Sequence, residues 1–224
     1  MPYLYLVRHG QPDFAGNYDS ITALGARQST WLGEHFAGRG LRFARVLAGT
    51  LQRQVSTCER VLSALDGSSD FTQDARFNEY DHLALLQSFE GDRLQAIRAS
   101  GDRREYFAAI RSAMQKWSRH DDVVAGGESW SEFGSRIRAG VAAACAGLGR
   151  DDNVLIVTSG GVIGRYTSEV LEAGADAAIQ LNLQIRNTGV TEVIRPPSGN
   201  ARLVSFNAIP HLERADRLDA ITHS

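Results

Sequence analysis

The feature that most constrains this chain is a pair of short, unbroken apolar runs, Tyr3-Leu4-Tyr5-Leu6-Val7 and Val154-Leu155-Ile156-Val157, set far apart among amphipathic segments. A run of this length without a polar face is a strand covered on both sides, as central strands of a parallel sheet are. Short apolar runs alternating with helical periodicity describe an α/β chain. From Thr22 to about Phe36 apolar residues recur at helical spacing, and Gly38 and Gly40 punctuate the end. Phe43 to Ala48 reads as a second strand, Leu51 to Leu65 as a helix, Leu83 to Arg119 as a largely helical section and Ser129 to Gly147 as a further helix. The strand ending at Thr158 runs through Ser159-Gly160-Gly161 into a helix from Val162. Val190 to Ile194 and Leu203 to Phe206 read as late strands joined by a Pro196-Pro197-Ser198-Gly199-Asn200 turn. The polar stretch after His211 is expected to fray.

The chain has 224 residues, enough to bury a substantial core without disulfides or metals. Twenty-four basic against twenty-six acidic residues leave a net charge of −2, which gives no general attraction to nucleic acid or anionic membrane. Cys58 and Cys145 both fall in helical segments and read as small buried hydrophobes rather than a disulfide or metal pair. No apolar run approaches a membrane span and no signal region opens the chain, so a cytoplasmic location is expected. His35 and His120 stand alone among polar residues, and P-loop, dinucleotide and nucleophile-elbow motifs are absent. Neither a metal nor a cofactor is expected.

Arg8-His9-Gly10-Gln11 follows the first buried strand directly, where open α/β sheets place their ligands. A guanidinium matches paired phosphate oxygens with two parallel hydrogen bonds. A neutral histidine beside it can attack phosphorus through one ring nitrogen while a backbone carbonyl holds the other. Gly10 removes a side chain where the backbone must come close to a ligand. Taken alone, the triplet serves equally well as a strand end whose Arg and His make structural hydrogen bonds.

Further segments follow in a fixed order: Ile21-Thr22 with Gly25 and Gln28; Leu51-Gln52-Arg53 with Thr57; Phe77-Asn78-Glu79; and Gly127-Glu128-Ser129 with Phe133 and Arg136. Together with Leu6-Val7-Arg8-His9-Gly10-Gln11, this series resembles the motifs of the histidine phosphatase (phosphoglycerate-mutase-like) superfamily. The resemblance implies an α/β three-layer sandwich. Its central sheet would be mostly parallel, with helices on both faces and a helical insertion at about 83–120 over the C-terminal strand ends. Residues 1–224 would form a single domain. It also implies a phosphatase that hydrolyses a phosphate monoester through a phosphohistidine on His9. Arg8, Gly10, Gln11 and Arg53 would hold the phosphate, and Glu79 would donate the proton, with Asp81 its nearest rival. The expected partner is a small phosphorylated substrate, and a homodimer is the default assembly. Two alternatives stand beside this reading: a phospho-ligand-binding protein without turnover, and a phosphoglycerate-type mutase.

One departure stands out. Where the family usually carries His-Gly-Gly after the later strand, this chain has Ser159-Gly160-Gly161, as in a bacterial branch of the superfamily whose substrates the resemblance does not name. Serine can donate one hydrogen bond to a phosphate but carries no charge. A charge-assisted bond contributes about 1.5–3 kcal/mol against about 1 for a neutral one, so the exchange corresponds to a rate loss of about 10-fold. Gly160 and the helix start behind it would still offer backbone N–H groups to an anion. His82, three residues after Glu79, is a candidate replacement for the missing imidazole, and His211 a weaker one. Trp117, Tyr106 and Phe107 are expected to pack in the helical core.

Overall fold

A computed structural model describes residues 2–14, 16–124, 127–149, 151–196 and 200–223. Six strands form one sheet in the order β3-β2-β4-β1-β5-β6. They are β1 (Tyr3–Arg8), β2 (Arg45–Ala48), β3 (Thr72–Gln73), β4 (Val154–Thr158), β5 (Val190–Ile194) and β6 (Arg202–Ala208). Strands β3, β2, β4 and β1 run parallel, while β5 and β6 add an antiparallel edge. Alternation along the central strands splits the core in two. Leu4, Leu6, Val154 and Ile156 pack on one face, and Tyr5, Val7, Leu155 and Val157 on the other. The second face is covered by α1 (Ala23–Gly38) and α2 (Gln52–Leu65), through Leu32, Phe36, Cys58, Val61 and Leu62. The first face takes α3 (His82–Ser100), α4 (Arg103–His120), α5 (Trp130–Cys145), α6 (Gly160–Val170) and α7 (Ala175–Gln184).

The helix after β1 therefore lies on one face and the helix after the neighbouring β4 on the other. That reversal opens a crevice beyond the strand ends, where α/β sheets bind ligands. The register sets Arg8 opposite Thr158, so the segments after the two strands lie side by side.

Most element positions match the sequence expectations, and the helical section resolves into α3 and α4. Two differences matter, besides the two-residue strand β3, which the sequence did not signal. Helix α7 was not anticipated. It carries little amphipathic signal, since only Ala178 and Ile179 among its side chains are fully buried. The tail after His211 does not fray. Gln28 on α1, wholly buried, donates through Nε2 to the Ala220 carbonyl at 2.7 Å and to Thr222 Oγ1 at 2.9 Å. Asn187 N–H adds a bond to the Thr222 carbonyl at 3.0 Å. The turn expected at 196–200 falls largely on residues 197–199, outside the described residues.

The other end of Gln28 reaches the loop after β1, where its Oε1 accepts the Gln11 N–H at 2.9 Å. One buried amide thus ties the His9 loop to the C-terminal tail. Gln28→Ala would leave buried donors and acceptors unpaired at about 1–3 kcal/mol each. Thermal unfolding should register this as a drop in Tm of about 2–4 °C per kcal/mol. An unchanged Tm would show that the tail is held by other means.

Candidate active site

Backbone geometry places the nucleophile candidate. The His9 N–H donates to the Thr158 carbonyl at 2.9 Å, and Thr188 N–H reaches the Arg8 and His9 carbonyls at 3.1 and 3.3 Å. His9 Nδ1 lies 2.8 Å from the Gly10 carbonyl, which can only accept, so Nδ1 carries the proton. The lone pair then resides on Nε2. Burial, followed by the charges of Arg53 and Arg8, holds the His9 pKa well below its usual value. The imidazole is neutral and nucleophilic at physiological pH.

Gly10 is also required by packing within the protein. A Cβ there would lie 2.5 Å from the Gly25 carbonyl oxygen, a close approach to the start of α1. The Gly10 N–H donates to Thr57 Oγ1 at 2.9 Å. Gln11 is tied to the same helix start, its Oε1 accepting from Thr22 Oγ1 at 2.8 Å.

Arg8 and Arg53 flank His9 electrostatically, and each is only 6% exposed. Arg8 Nη1 donates to the Ile185 carbonyl, and Arg53 Nη1 pairs with Asp19 Oδ1 at 2.8 Å. The Nε of each arginine is buried without a partner. Tyr18 lies over Arg53, its ring centroid 4.9 Å from the guanidinium carbon. Asp19 also accepts the Gln52 N–H at 3.1 Å, anchoring the loop after β1 at the start of α2.

Glu79 lies at the same crevice. Its carboxylate accepts from the Gly161 N–H at 3.0 Å and the Tyr80 N–H at 3.3 Å. Burial nevertheless raises its pKa above the ordinary value, against the pull of those bonds and of Arg53 and Arg8. A Cβ at position 161 would sit 2.2 Å from Glu79 Oε1, so glycine is what lets the carboxylate reach the backbone there. Arg136 braces the segment from α5, donating to the Arg76 and Asn78 carbonyls at 2.8 Å while pairing with Glu128. Asp81, the rival carboxylate, is instead the N-cap of α3, accepting from the Leu83 and Ala84 N–H groups.

Ser159 is fully buried, and its Oγ accepts from Gln54 Nε2 at 2.8 Å. Gln54 also donates to the Phe77 carbonyl, joining the Ser159 turn to the Glu79 segment. Nothing in the sequence singled Gln54 out. A buried glutamine one position after Arg53 has no local signature. Gly160 packs against α7, where a Cβ would meet Asn182 Oδ1 at 2.6 Å. His211 is buried away from this cavity and bonded to Thr188 Oγ1, with its pKa depressed by burial to about 3. It is a structural group.

A cavity of about 500 Å³ opens onto Arg8 and Glu79. His82 lines it, edge-on to Tyr18 with ring centroids 5.5 Å apart. Tyr106 lines it while also packing against the core, Phe107 lines it contrary to the expectation of core packing, and Trp117 is wholly buried among Tyr80, Trp130 and Phe133. Helix α7 contributes Asn182 and Leu183. A shallower groove of about 610 Å³ along β2 and β3 does not reach these residues.

Several known proteins are similar to this chain in sequence or fold. A phosphoglycerate mutase of Mesorhizobium japonicum, 2,3-bisphosphoglycerate-dependent, is 31% identical over 144 residues, covering 60% of this chain and 64% of that protein. The chain thus spans slightly less than two thirds of that relative. The probable phosphoglycerate mutase GpmB of Erwinia tasmaniensis is 28% identical over 200 residues, covering 86% and 85% of the two chains. A mycobacterial glucosyl-3-phosphoglycerate phosphatase, solved with inorganic phosphate, shares the fold with a TM-score of 0.68 at 21% identity, over 95% of this chain and 100% of that one. The family profile described as histidine phosphatase superfamily (branch 1) matches residues 4–209, from the first central strand to beyond the last, and the chain belongs to that superfamily.

Proposed function

We propose that this protein is a phosphatase that hydrolyses a phosphate monoester through a phosphohistidine on His9. The observation that carries the reading is a neutral imidazole flanked by two buried arginines with unpartnered Nε donors, beside a buried carboxyl whose pKa is raised. Two buried guanidinium groups with spare donors call for an anion, and a phosphate dianion satisfies both charge and geometry.

His9 Nε2 attacks phosphorus as the bond to the leaving oxygen breaks. Arg8 and Arg53 stabilise the charge on the non-bridging oxygens, and Glu79 gives its proton to the leaving oxygen. Water then attacks the phosphohistidine, Glu79 takes the water's proton, and the P–N bond breaks with its electron pair returning to Nε2. Backbone N–H groups at the start of α6, and Ser159 or His82, are the groups nearest to the role of the family's second histidine. A mutase must keep water from the phosphoenzyme between half-reactions. The mouth of this cavity, where Phe14 and Leu83 stand about half exposed, favours hydrolysis.

The test is phosphate release from p-nitrophenyl phosphate. His9→Ala should lower kcat by about 10³-fold or more. Retention of activity in that variant would sink the phosphohistidine.

Glu79→Gln separates the two steps. Nitrophenolate leaves without a proton, so this variant should release one equivalent in a burst and then turn over slowly. On an alkyl phosphate it should lose about 10²–10⁴-fold from the start. Equal losses on both esters, without a burst, would remove Glu79 from the donor role.

The pH profile follows from the two shifts. Wild-type activity on an alkyl ester should fall as pH rises through the raised Glu79 pKa, because the acid form is needed. It should fall on the acid side only well below the usual histidine range, where His9 takes up a proton. In Glu79→Gln the alkaline fall should disappear.

A further inference from the structure

The cavity has two chemically distinct ends. At its base are Arg8 and Glu79, and its walls include Phe14, Leu83, Phe107 and Ile110, interrupted by the polar Asn17, His82 and Asn182. Phe14 and Leu83 are 50% and 46% exposed, two of the six most exposed large hydrophobic side chains among the described residues, and both stand on this one cavity. Phe14 packs on Tyr18 at 5.1 Å between centroids, extending the apolar wall outward from the phosphate end. A volume of about 500 Å³ suits a leaving group of substantial size, since ligand pockets run to about 300–1,000 Å³.

Charge narrows the choice further. Among the described residues lining the cavity, Arg8 is the only arginine or lysine, and it faces the phosphate end. The other acidic or imidazole side chains there are Asp19, which pairs with Arg53, the proton donor Glu79, and His82. A carboxylate or second phosphate on the leaving group would lose its hydration against largely apolar walls, where His82 is, among the described residues, the one further side chain able to carry a positive charge, an arrangement that disfavours it.

We propose that the substrate is a phosphate monoester of an uncharged, largely apolar alcohol or phenol, with the apolar group seated between the loop after β1 and the helices α3, α4 and α7. This rests on the phosphatase reading above and names the substrate class of that site.

The test compares esters with matched primary alkoxide leaving groups, so that intrinsic reactivity does not decide the outcome: 3-phenylpropyl phosphate, glycerol 3-phosphate and 3-phosphoglycerate. The kcat/KM for the phenylpropyl ester should exceed that for 3-phosphoglycerate by about 100-fold or more. Phe107→Ala should reduce that ratio by about 10-fold. Leu83→Lys, at an exposed position, should reduce it by supplying a cation at the mouth. Equal or better turnover of 3-phosphoglycerate by the wild type would overturn the substrate class while leaving the phosphatase intact.

Binding to His9→Ala protein, followed by calorimetry, tests the class independently of turnover. The phenylpropyl ester should bind at least about 10-fold tighter than 3-phosphoglycerate. If no ester or aryl phosphate is hydrolysed, the proposed function fails, and this binding ratio alone upholds or overturns the apolar subsite.

Discussion

The structure depends on placing two guanidinium groups beside one imidazole, all three almost out of reach of water. Removing a charge from water costs several kcal/mol unless hydrogen bonds or opposite charge replace the lost hydration. Here the replacement is partial. Arg8 has the Ile185 carbonyl, and Arg53 has Asp19 and the face of Tyr18. The Nε of each is left over. The same two charges, after burial itself, keep His9 neutral. Two buried cations that the protein satisfies only in part suit an anion, and the surrounding fold carries the cost.

That cost explains why the neighbouring contacts are so polar. Gln28 and Gln54 are both fully buried glutamines, and each spans segments remote in sequence. Gln28 links the His9 loop to the C-terminal tail, and Gln54 links the Ser159 turn to the Glu79 segment. Arg136 holds the Glu79 segment from a third direction. Buried polar networks of this kind fix one geometry, because any other arrangement strands a donor or acceptor away from water. The loops after β1 and β4 and the segment after β3 are thereby held to one another as well as to the sheet.

The central strands were legible because burial on both faces leaves an unmistakable apolar run, and the motifs after β1 and at α2 sit at element ends; the two-residue edge strand β3 is too short to leave such a run. Glu79 was legible through its motif and not through its chemistry, since burial, the source of its shifted pKa, is a tertiary property. Helix α7 was hidden by its composition. Its sequence, Ala175 to Gln184, presents a short and weak stripe. The tail was misjudged because polar residues normally fray, and only long-range bonds to Gln28 and Asn187 hold it. Phe107 was misplaced for a related reason: helical periodicity reveals an apolar face but not whether it meets core or cavity.

The serine at 159 can be weighed against this electrostatic background. A histidine there would be a potential third cation in the crevice. Serine leaves two arginines as the cations acting on Glu79, whose carboxylate is bound by the backbone N–H two positions further on. Each added positive charge would pull that carboxyl toward ionisation, in the direction that Arg53 and Arg8 already pull. The exchange therefore acts in two opposite ways. On the proposed mechanism it would remove a charge-assisted contact from the transferring phosphate and would spare the raised pKa that a proton donor needs near neutral pH. The bond from Gln54 to Ser159 Oγ is a neutral contact and adds no charge to the crevice, so the balance is kept.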